Sequence, residues 1–188
     1  MLGQKGIRIL EKIWRINDKY INVKKERECE INGFKKDNAG ESISIKNPFF
    51  CELTGLYWAW KNLEVDYLGL VHYRRYFTEN VKRYYEGINI DKVVLTKEQI
   101  DSLLNENQVI VPKKRNYYIE TLYSHYDHTF DGMHLDIARK IIADQTPEYL
   151  NAFDLVMKQR SGYMFNMFIM PKTLVNEYCE WLFKILNG

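Results

Sequence analysis

Apolar residues recur at three- and four-residue steps over much of this chain, and short unbroken apolar runs fall between those stretches. From Gly6 to Asn17, Ile7, Leu10, Ile13 and Trp14 share a helical face with Arg8, Lys12 and Arg15 interleaved, which predicts a basic amphipathic helix. Such a helix packs its stripe on its own domain or lies on an anionic membrane surface. From Glu26 to Ser44 the sequence turns polar, with Asn32-Gly33 and Asn38 to Gly40 as turn signals, so a loop or short hairpin is expected. At Asn47-Pro48 a helix begins, with Asn47 as cap and Pro48 at the first helical position. Phe49, Leu53, Leu56, Tyr57 and Trp60 carry its apolar face through to Asn62.

Asp66 to Phe77 opens almost continuously apolar and ends in a doubly basic stretch, the pattern of a strand buried on both faces. Thr96 to Asn105 reads as a short helix whose capping box pairs Thr96 with Gln99. Gln108 to Pro112 is a second short buried strand. Helical spacing then covers Ile119 to Phe130, Leu135 to Asp144 and Pro147 to Lys158, the last capped by Thr146. Tyr163 to Met170 is a third strand closed by Pro171, and Thr173 to Leu186 is a final amphipathic helix carrying Leu174, Tyr178, Trp181, Leu182 and Ile185. Strands alternating with helices predict an α/β fold with a largely parallel sheet flanked by helices. A length of 188 residues suits one domain, residues 1–188, with residues 1–17 as an atypical N-terminal helix.

Charge narrows the partners. With 27 basic and 25 acidic side chains the net charge is only +2, so no global field draws the protein to nucleic acid. Cys29, Cys51 and Cys179 lack any metal-ligand or disulfide-framework spacing, which fits a reducing cytoplasm. No apolar run approaches the roughly 20 residues that cross a bilayer, and the N-terminus lacks a secretory pattern. The 14% aromatic fraction suits both a tyrosine-rich core and stacking on flat ligands.

In open α/β sheets ligands gather at the carboxyl ends of strands. His72, Tyr73, Arg74 and Arg75 close the first strand and Lys113, Lys114 and Arg115 the second, a supply of cations that suits a diphosphate if the strands are neighbours. Solvated charge at strand ends is the competing account. His125 and His128, beside Asp127, meet on one helical face, a weak metal signal set against a satisfied histidine pair. Zinc-protease, P-loop, dinucleotide and nucleophile-elbow motifs are all absent. Glu52, Asp66 and Asp127 are the candidate catalytic carboxylates, with Asp131 and Asp136 behind them; Glu52 lies beside the aromatic face of the best helix.

Two long blocks carry a resemblance: Cys51-Glu52-Leu53-Thr54-Gly55-Leu56-Tyr57-Trp58-Ala59-Trp60-Lys61-Asn62 and Asp66 to Phe77 with its His72-Tyr73-Arg74-Arg75-Tyr76-Phe77 end. With Pro112 to Tyr118 and Phe165 to Met170 they resemble a bacterial family, filed as a domain of unknown function, that is labelled capsular or exopolysaccharide biosynthesis glycosyltransferase. The likeness spans about residues 18 to 186. It implies a GT-A-like fold and transfer of a sugar from a nucleotide-diphosphate donor to a growing, lipid-linked glycan. Many such enzymes hold a divalent ion, Mn²⁺ or Mg²⁺, with an Asp-x-Asp. Here the matching strand ends in His72-Tyr73-Arg74-Arg75, so cations are expected to replace the metal at least in part.

Asn166 resembles an asparagine that lines the sugar site, and Trp58 and Asn62 are further candidates for sugar or acceptor binding. The family's usual first strand gives way here to Gly6 to Asn17, so a form truncated at both ends is expected. Three readings follow: a cytoplasmic glycosyltransferase, peripheral to the inner membrane face; an inactive nucleotide- or glycan-binding module; and a scaffold of a synthesis complex, whose open sheet edge would favour self-association.

Overall fold

The structure, a computed structural model, describes residues 20–22, 34–71, 75–78, 93–106 and 108–188, with the backbone alone for 20–22 and 34–36. In chain order the elements are β1 (Tyr20–Asn22), β2 (Phe34–Lys36), α1 (Asn47–Phe50), α2 (Leu53–Asn62), β3 (Tyr67–Leu70), α3 (Lys97–Glu106) and β4 (Arg115–Asn116). There follow α4 (Leu122–Thr129), α5 (Met133–Gln145), α6 (Leu150–Met157), β5 (Ser161–Gly162), β6 (Phe168–Pro171) and α7 (Lys172–Leu186). The fold is mixed α/β. Contacts divide it into two compact units, Met1–Val111 with Asn166–Asn176 and Pro112–Phe165 with Glu177–Gly188.

In the first unit β6 is the central strand. Its antiparallel ladder with β3 pairs Tyr67 with Pro171 and Leu70 with Phe168. On its other side Ile110 and Ile169 exchange both backbone hydrogen bonds, at 2.9 and 2.8 Å, again antiparallel. β3 and the Ile110 stretch therefore run in the same direction with β6 reversed between them. Phe77, Leu95, Ile100, Met167 and Ile169 form the buried core beside this sheet, with Val71, Leu103, Leu104 and Ile110 packed against it. Elsewhere β1 pairs with β2 in parallel, Tyr20 opposite Phe34.

These pairings correct the expectation of a mostly parallel sheet: among the described residues two ladders and the isolated bridge are antiparallel and one ladder is parallel. The three apolar stretches are alike in sequence because burial on both faces looks the same whichever way a strand runs. The second of them, Gln108 to Pro112, contributes only the single bridge at Ile110. Phe34–Lys36, expected within a loop or hairpin, is a strand paired in parallel, which a hairpin cannot be.

The Asn47 to Asn62 helix is interrupted. Cys51 takes φ 47° and ψ −125°, which ends α1 before α2 starts. Asn47 is the first helical residue and not the cap; its Nδ2 donates to the Cys51 carbonyl at 2.9 Å and to Thr54 Oγ1 at 3.1 Å, spanning the break. Thr54 Oγ1 in turn donates to Asp37 Oδ2 at 2.7 Å in a buried setting. Glu41, Asn62 and Trp58 close the loop that follows Asp37: Asn62 Nδ2 donates to the Glu41 carbonyl at 2.7 Å, Glu41 N donates to Asn62 Oδ1 at 3.1 Å, and Trp58 Nε1 donates to the Ala39 carbonyl. Gly40, at φ 69°, lies so close that a Cβ would stand 2.2 Å from Asn62 Oδ1.

The expected capping box of α3 is present: Thr96 N donates to Gln99 Oε1 at 2.8 Å and Gln99 N to Thr96 Oγ1 at 3.3 Å. In the second unit α4 starts three residues later than the pattern suggests, where Thr121 and Ser124 form a reciprocal box. The helix expected from Pro147 opens as a 3-10 turn, Pro147–Tyr149, and Thr146 makes no side-chain cap bond. The Gly6 to Asn17 helix lies outside the described residues.

Candidate functional site

The opposed direction of β6 places its amino end at the edge where β3 and the Ile110 stretch have their carboxyl ends, the edge where open α/β sheets take ligands. Asn166, two residues before β6, stands there. Its Nδ2 donates to Glu52 Oε1 at 3.2 Å, so the asparagine implied by the family resemblance and the carboxylate on the apolar helix are in contact. Glu52 is half-buried and Asn166 exposed, which leaves the pair open to a ligand.

Asn166 sits in strained backbone, and Glu52, itself in ordinary helical backbone, directly follows a residue that does. Phe165 and Asn166 have φ of 81° and 48°, and Cys51, immediately before Glu52, has φ 47°. Left-handed backbone is costly for residues with a Cβ, and such strain concentrates at functional sites. The carboxylate also lies outside the helix proper, as the residue preceding α2, held by the α1–α2 break. A carboxylate and an amide side by side offer an acceptor for hydroxyl protons and a donor for hydroxyl oxygens.

Around α2 the other expected residues make contacts within the first unit. Trp58 is 6% exposed, and Asn62 has both amide groups engaged with the Glu41 backbone. On the adjoining face Tyr57 hydroxyl donates to Glu41 Oε1 at 2.9 Å; burial, and then this bond, push the phenol above its usual range. Trp60 Nε1 donates to Asn176 Oδ1 at 3.1 Å, and Lys61 Nζ lies 3.9 Å from the Trp60 ring centroid. Asp66 is exposed, and its carbonyl accepts from Lys172 N at 2.8 Å. His72, Tyr73 and Arg74 lie outside the described residues; Arg75 is exposed in the first unit.

Lys113, Lys114 and Arg115 belong to the second unit and are exposed. Lys114 Nζ lies 5.1 Å from the Tyr163 ring centroid and Arg115 Cζ lies 5.2 Å from that of Tyr117. His125 and His128 are joined by a partner the sequence did not suggest: Glu120 meets His125 Nδ1 through Oε2 at 2.8 Å and His128 Nδ1 through Oε1 at 2.6 Å. The hydrogen bond from His128, then that from His125, hold the Glu120 carboxyl below its usual range, and Glu120 raises the His128 imidazole. Asp127 Oδ1 accepts from Gly132 N at 2.9 Å and so ties α4 to the start of α5.

Among the described residues no group of three or more His, Cys, Asp or Glu side chains is gathered so that it could hold a metal ion. A cavity of about 350 Å³ in the second unit is lined by Tyr123, Phe153 and the Arg139–Asp154 pair, whose two hydrogen bonds are both 2.7 Å. Of the carboxylates expected from the sequence, Asp136 lines it.

Comparison with known proteins adds three findings. Residues 16–188 match a family model described as a domain of unknown function, DUF4422. No curated protein matches the chain. Among solved structures it is similar to the apo form of the WbbM bifunctional glycosyltransferase, with 29% sequence identity and a TM-score of 0.73. That likeness covers 90% of this chain but 36% of the WbbM chain, so this chain spans about a third of that protein's length.

Proposed function

The chain belongs to the DUF4422 family, and from that premise we propose that it is a glycosyltransferase domain with a GT-A-like donor site. It moves a sugar from a nucleotide-diphosphate donor to a growing capsular or extracellular polysaccharide at the cytoplasmic face of the membrane. The observation that carries this reading is the likeness to a glycosyltransferase structure over 90% of the chain. The contact between Glu52 and Asn166 at the ligand edge of the sheet supports it from the geometry.

In this reading an acceptor hydroxyl attacks the anomeric carbon of the donor. A new carbon–oxygen bond forms, the bond to the diphosphate breaks, and the diphosphate leaves with the electron pair. Glu52 takes the hydroxyl proton, and Asn166 orients the carboxylate and donates to a sugar oxygen. The cations after β3, Arg74 and Arg75 with His72, offset the charge that develops on the departing diphosphate. Each role uses a residue type suited to it and requires no covalent intermediate.

The test is release of nucleoside diphosphate from a panel of UDP- and GDP-sugars, with and without an oligosaccharide acceptor. Glu52→Gln is expected to keep nucleotide binding, measured calorimetrically, and to lose roughly 10²- to 10⁴-fold in turnover. Donor turnover unaffected by Glu52→Gln would remove the carboxylate from the reaction. Binding without turnover in the unsubstituted chain would favour a binding module, and absence of nucleotide binding would overturn the proposal altogether.

A further inference from the structure

The turn between β4 and α4 in the second unit exposes two adjacent large side chains, Tyr118 at 81% and Ile119 at 86%. Water-exposed apolar side chains are ordinary when single and mobile. These two are consecutive and rigidly presented. Ile119 N donates to the Tyr117 carbonyl at 2.7 Å, Tyr117 N donates to the Arg160 carbonyl at 2.8 Å, and Leu122 N donates to the Gln159 carbonyl at 2.7 Å. Arg160 Nη1 reaches the Tyr118 carbonyl at 3.3 Å, and Tyr118 is held at φ 59°, a conformation that tyrosine adopts rarely. Glu120 then fixes the turn to α4 through both His125 and His128.

The surroundings are basic. Between Pro112 and Thr121, and between Gln159 and Phe165, the sequence has Lys113, Lys114, Arg115 and Arg160 against a single acid, Glu120. That acid is occupied by two histidines, so it does not offset the cations beyond its own pairs. Tyr163, 58% exposed, lies beside Lys114 and adds a further amphipathic ring.

An apolar tip with tyrosines at its base and a collar of lysine and arginine matches the layers of an anionic bilayer surface. Aliphatic side chains enter the acyl boundary, tyrosine rings settle at headgroup level, and cations meet the phosphates. A protein partner fits less well, because lysine is depleted from the cores of protein interfaces. We propose that the Tyr118–Ile119 turn with its basic collar is a membrane-docking site for an anionic phospholipid surface. The docking site uses none of the residues assigned to sugar transfer and does not depend on that reading.

The test is co-sedimentation of the full chain with phosphatidylglycerol–phosphatidylcholine vesicles and with phosphatidylcholine vesicles alone, at low and high salt. Binding to the anionic vesicles, released by salt, is expected, because exposed charge interactions are screened. Ile119→Asp should lower the partition coefficient about tenfold, since it removes the buried aliphatic group and adds a repelled charge. The double variant Lys113→Gln, Lys114→Gln should lower it by a similar factor while leaving Ile119 in place. Circular dichroism melting of each variant separates loss of binding from loss of fold. Failure to bind anionic vesicles overturns the proposal, as does binding that survives both variants unchanged, which would put the membrane contact elsewhere on the chain.

Discussion

Asn166 donates to the Glu52 carboxylate at 3.2 Å across 114 residues of sequence, and it does so from left-handed backbone. Asparagine is the side chain, besides glycine, that takes this conformation at least cost. The position therefore selects for backbone shape and for the amide together, and substitution can separate the two. Asn166→Gly keeps the shape and loses the solvent-exposed bond to Glu52, so unfolding free energy should fall by no more than about 1 kcal/mol. Donor turnover should nevertheless fall at least about tenfold, the worth of one directed hydrogen bond of roughly 1.4 kcal/mol. If stability drops while turnover holds, the amide is a structural tie and nothing more.

Cys51 makes the opposite trade. At φ 47° and ψ −125° a residue with a Cβ is strained, and the bonds that hold it there use its backbone: Cys51 N donates to the Asn47 carbonyl at 2.9 Å and its own carbonyl accepts from Asn47 Nδ2. Cys51→Gly keeps all of these. Release of roughly 1–3 kcal/mol of strain, less the entropy glycine gains on unfolding, predicts a net stabilisation of about 1 kcal/mol in urea titration. Turnover should fall in the same variant, because Glu52 loses the rigid turn that aims it. A destabilised Cys51→Gly would mean that the thiol itself, and not the turn, is what the site needs.

The sequence revealed the helices through their periodicity, and α3 through its capping box, because those signals are local. Strand direction was not legible: an apolar run such as Phe168 to Pro171 reads the same pointing either way, and only its pairing with both Gly69 and Ile110 shows it reversed. The α1–α2 break was hidden as well, since the apolar steps continue across Cys51 and nothing in its side chain announces a positive φ. Thr146 shows how a correct boundary can carry a wrong mechanism. The 3-10 turn does start at Pro147, but the Thr146 hydroxyl is buried without a hydrogen-bond partner and caps nothing. At the candidate site, Glu52 and Asn166 were each identifiable by residue type and motif, whereas their contact depends on long-range topology. The role of Glu120 was not legible, because in a continuous helix from Ile119 it would stand five and eight residues before the two histidines and not at the three- and four-residue steps that bring side chains together.

Thr54 anchors the first unit from within. It is fully buried, donates to Asp37 Oδ2 at 2.7 Å and accepts from Asn47 Nδ2 at 3.1 Å. Thr54→Val keeps the volume and removes the hydroxyl, which leaves a buried carboxylate oxygen and an amide donor short of a partner. The expected loss is about 1–3 kcal/mol, the desolvation cost of such groups. Thr54→Ser keeps the donor and should recover much of it. Chemical denaturation of the two variants decides this: a larger loss in Thr54→Ser than in Thr54→Val would show that the methyl, and not the hydroxyl, carries the stabilisation.

The Glu120–His128 pair gives the second unit a pH signature whose sign is fixed by the two shifts. His128 is raised above its ordinary 6.5, first by its hydrogen bond to Glu120 and then by that charge and by Asp127, so its contribution is complete below 6.5 and fades as pH rises through the higher folded value. Glu120 is lowered beneath its ordinary 4.5, so its contribution is complete above 4.5 and fades as pH falls through the lower folded value. The pair therefore stabilises most between those ordinary values and weakens on both sides. His128→Gln should reduce the melting temperature most within that window and converge with the unsubstituted chain above it, where the imidazole is neutral in both folded and unfolded states. Because His128 is largely exposed and Glu120 partly so, the difference should also shrink as salt is raised. A difference that is flat across pH and indifferent to salt would assign the effect of His128 to packing on α4 instead of to the ion pair.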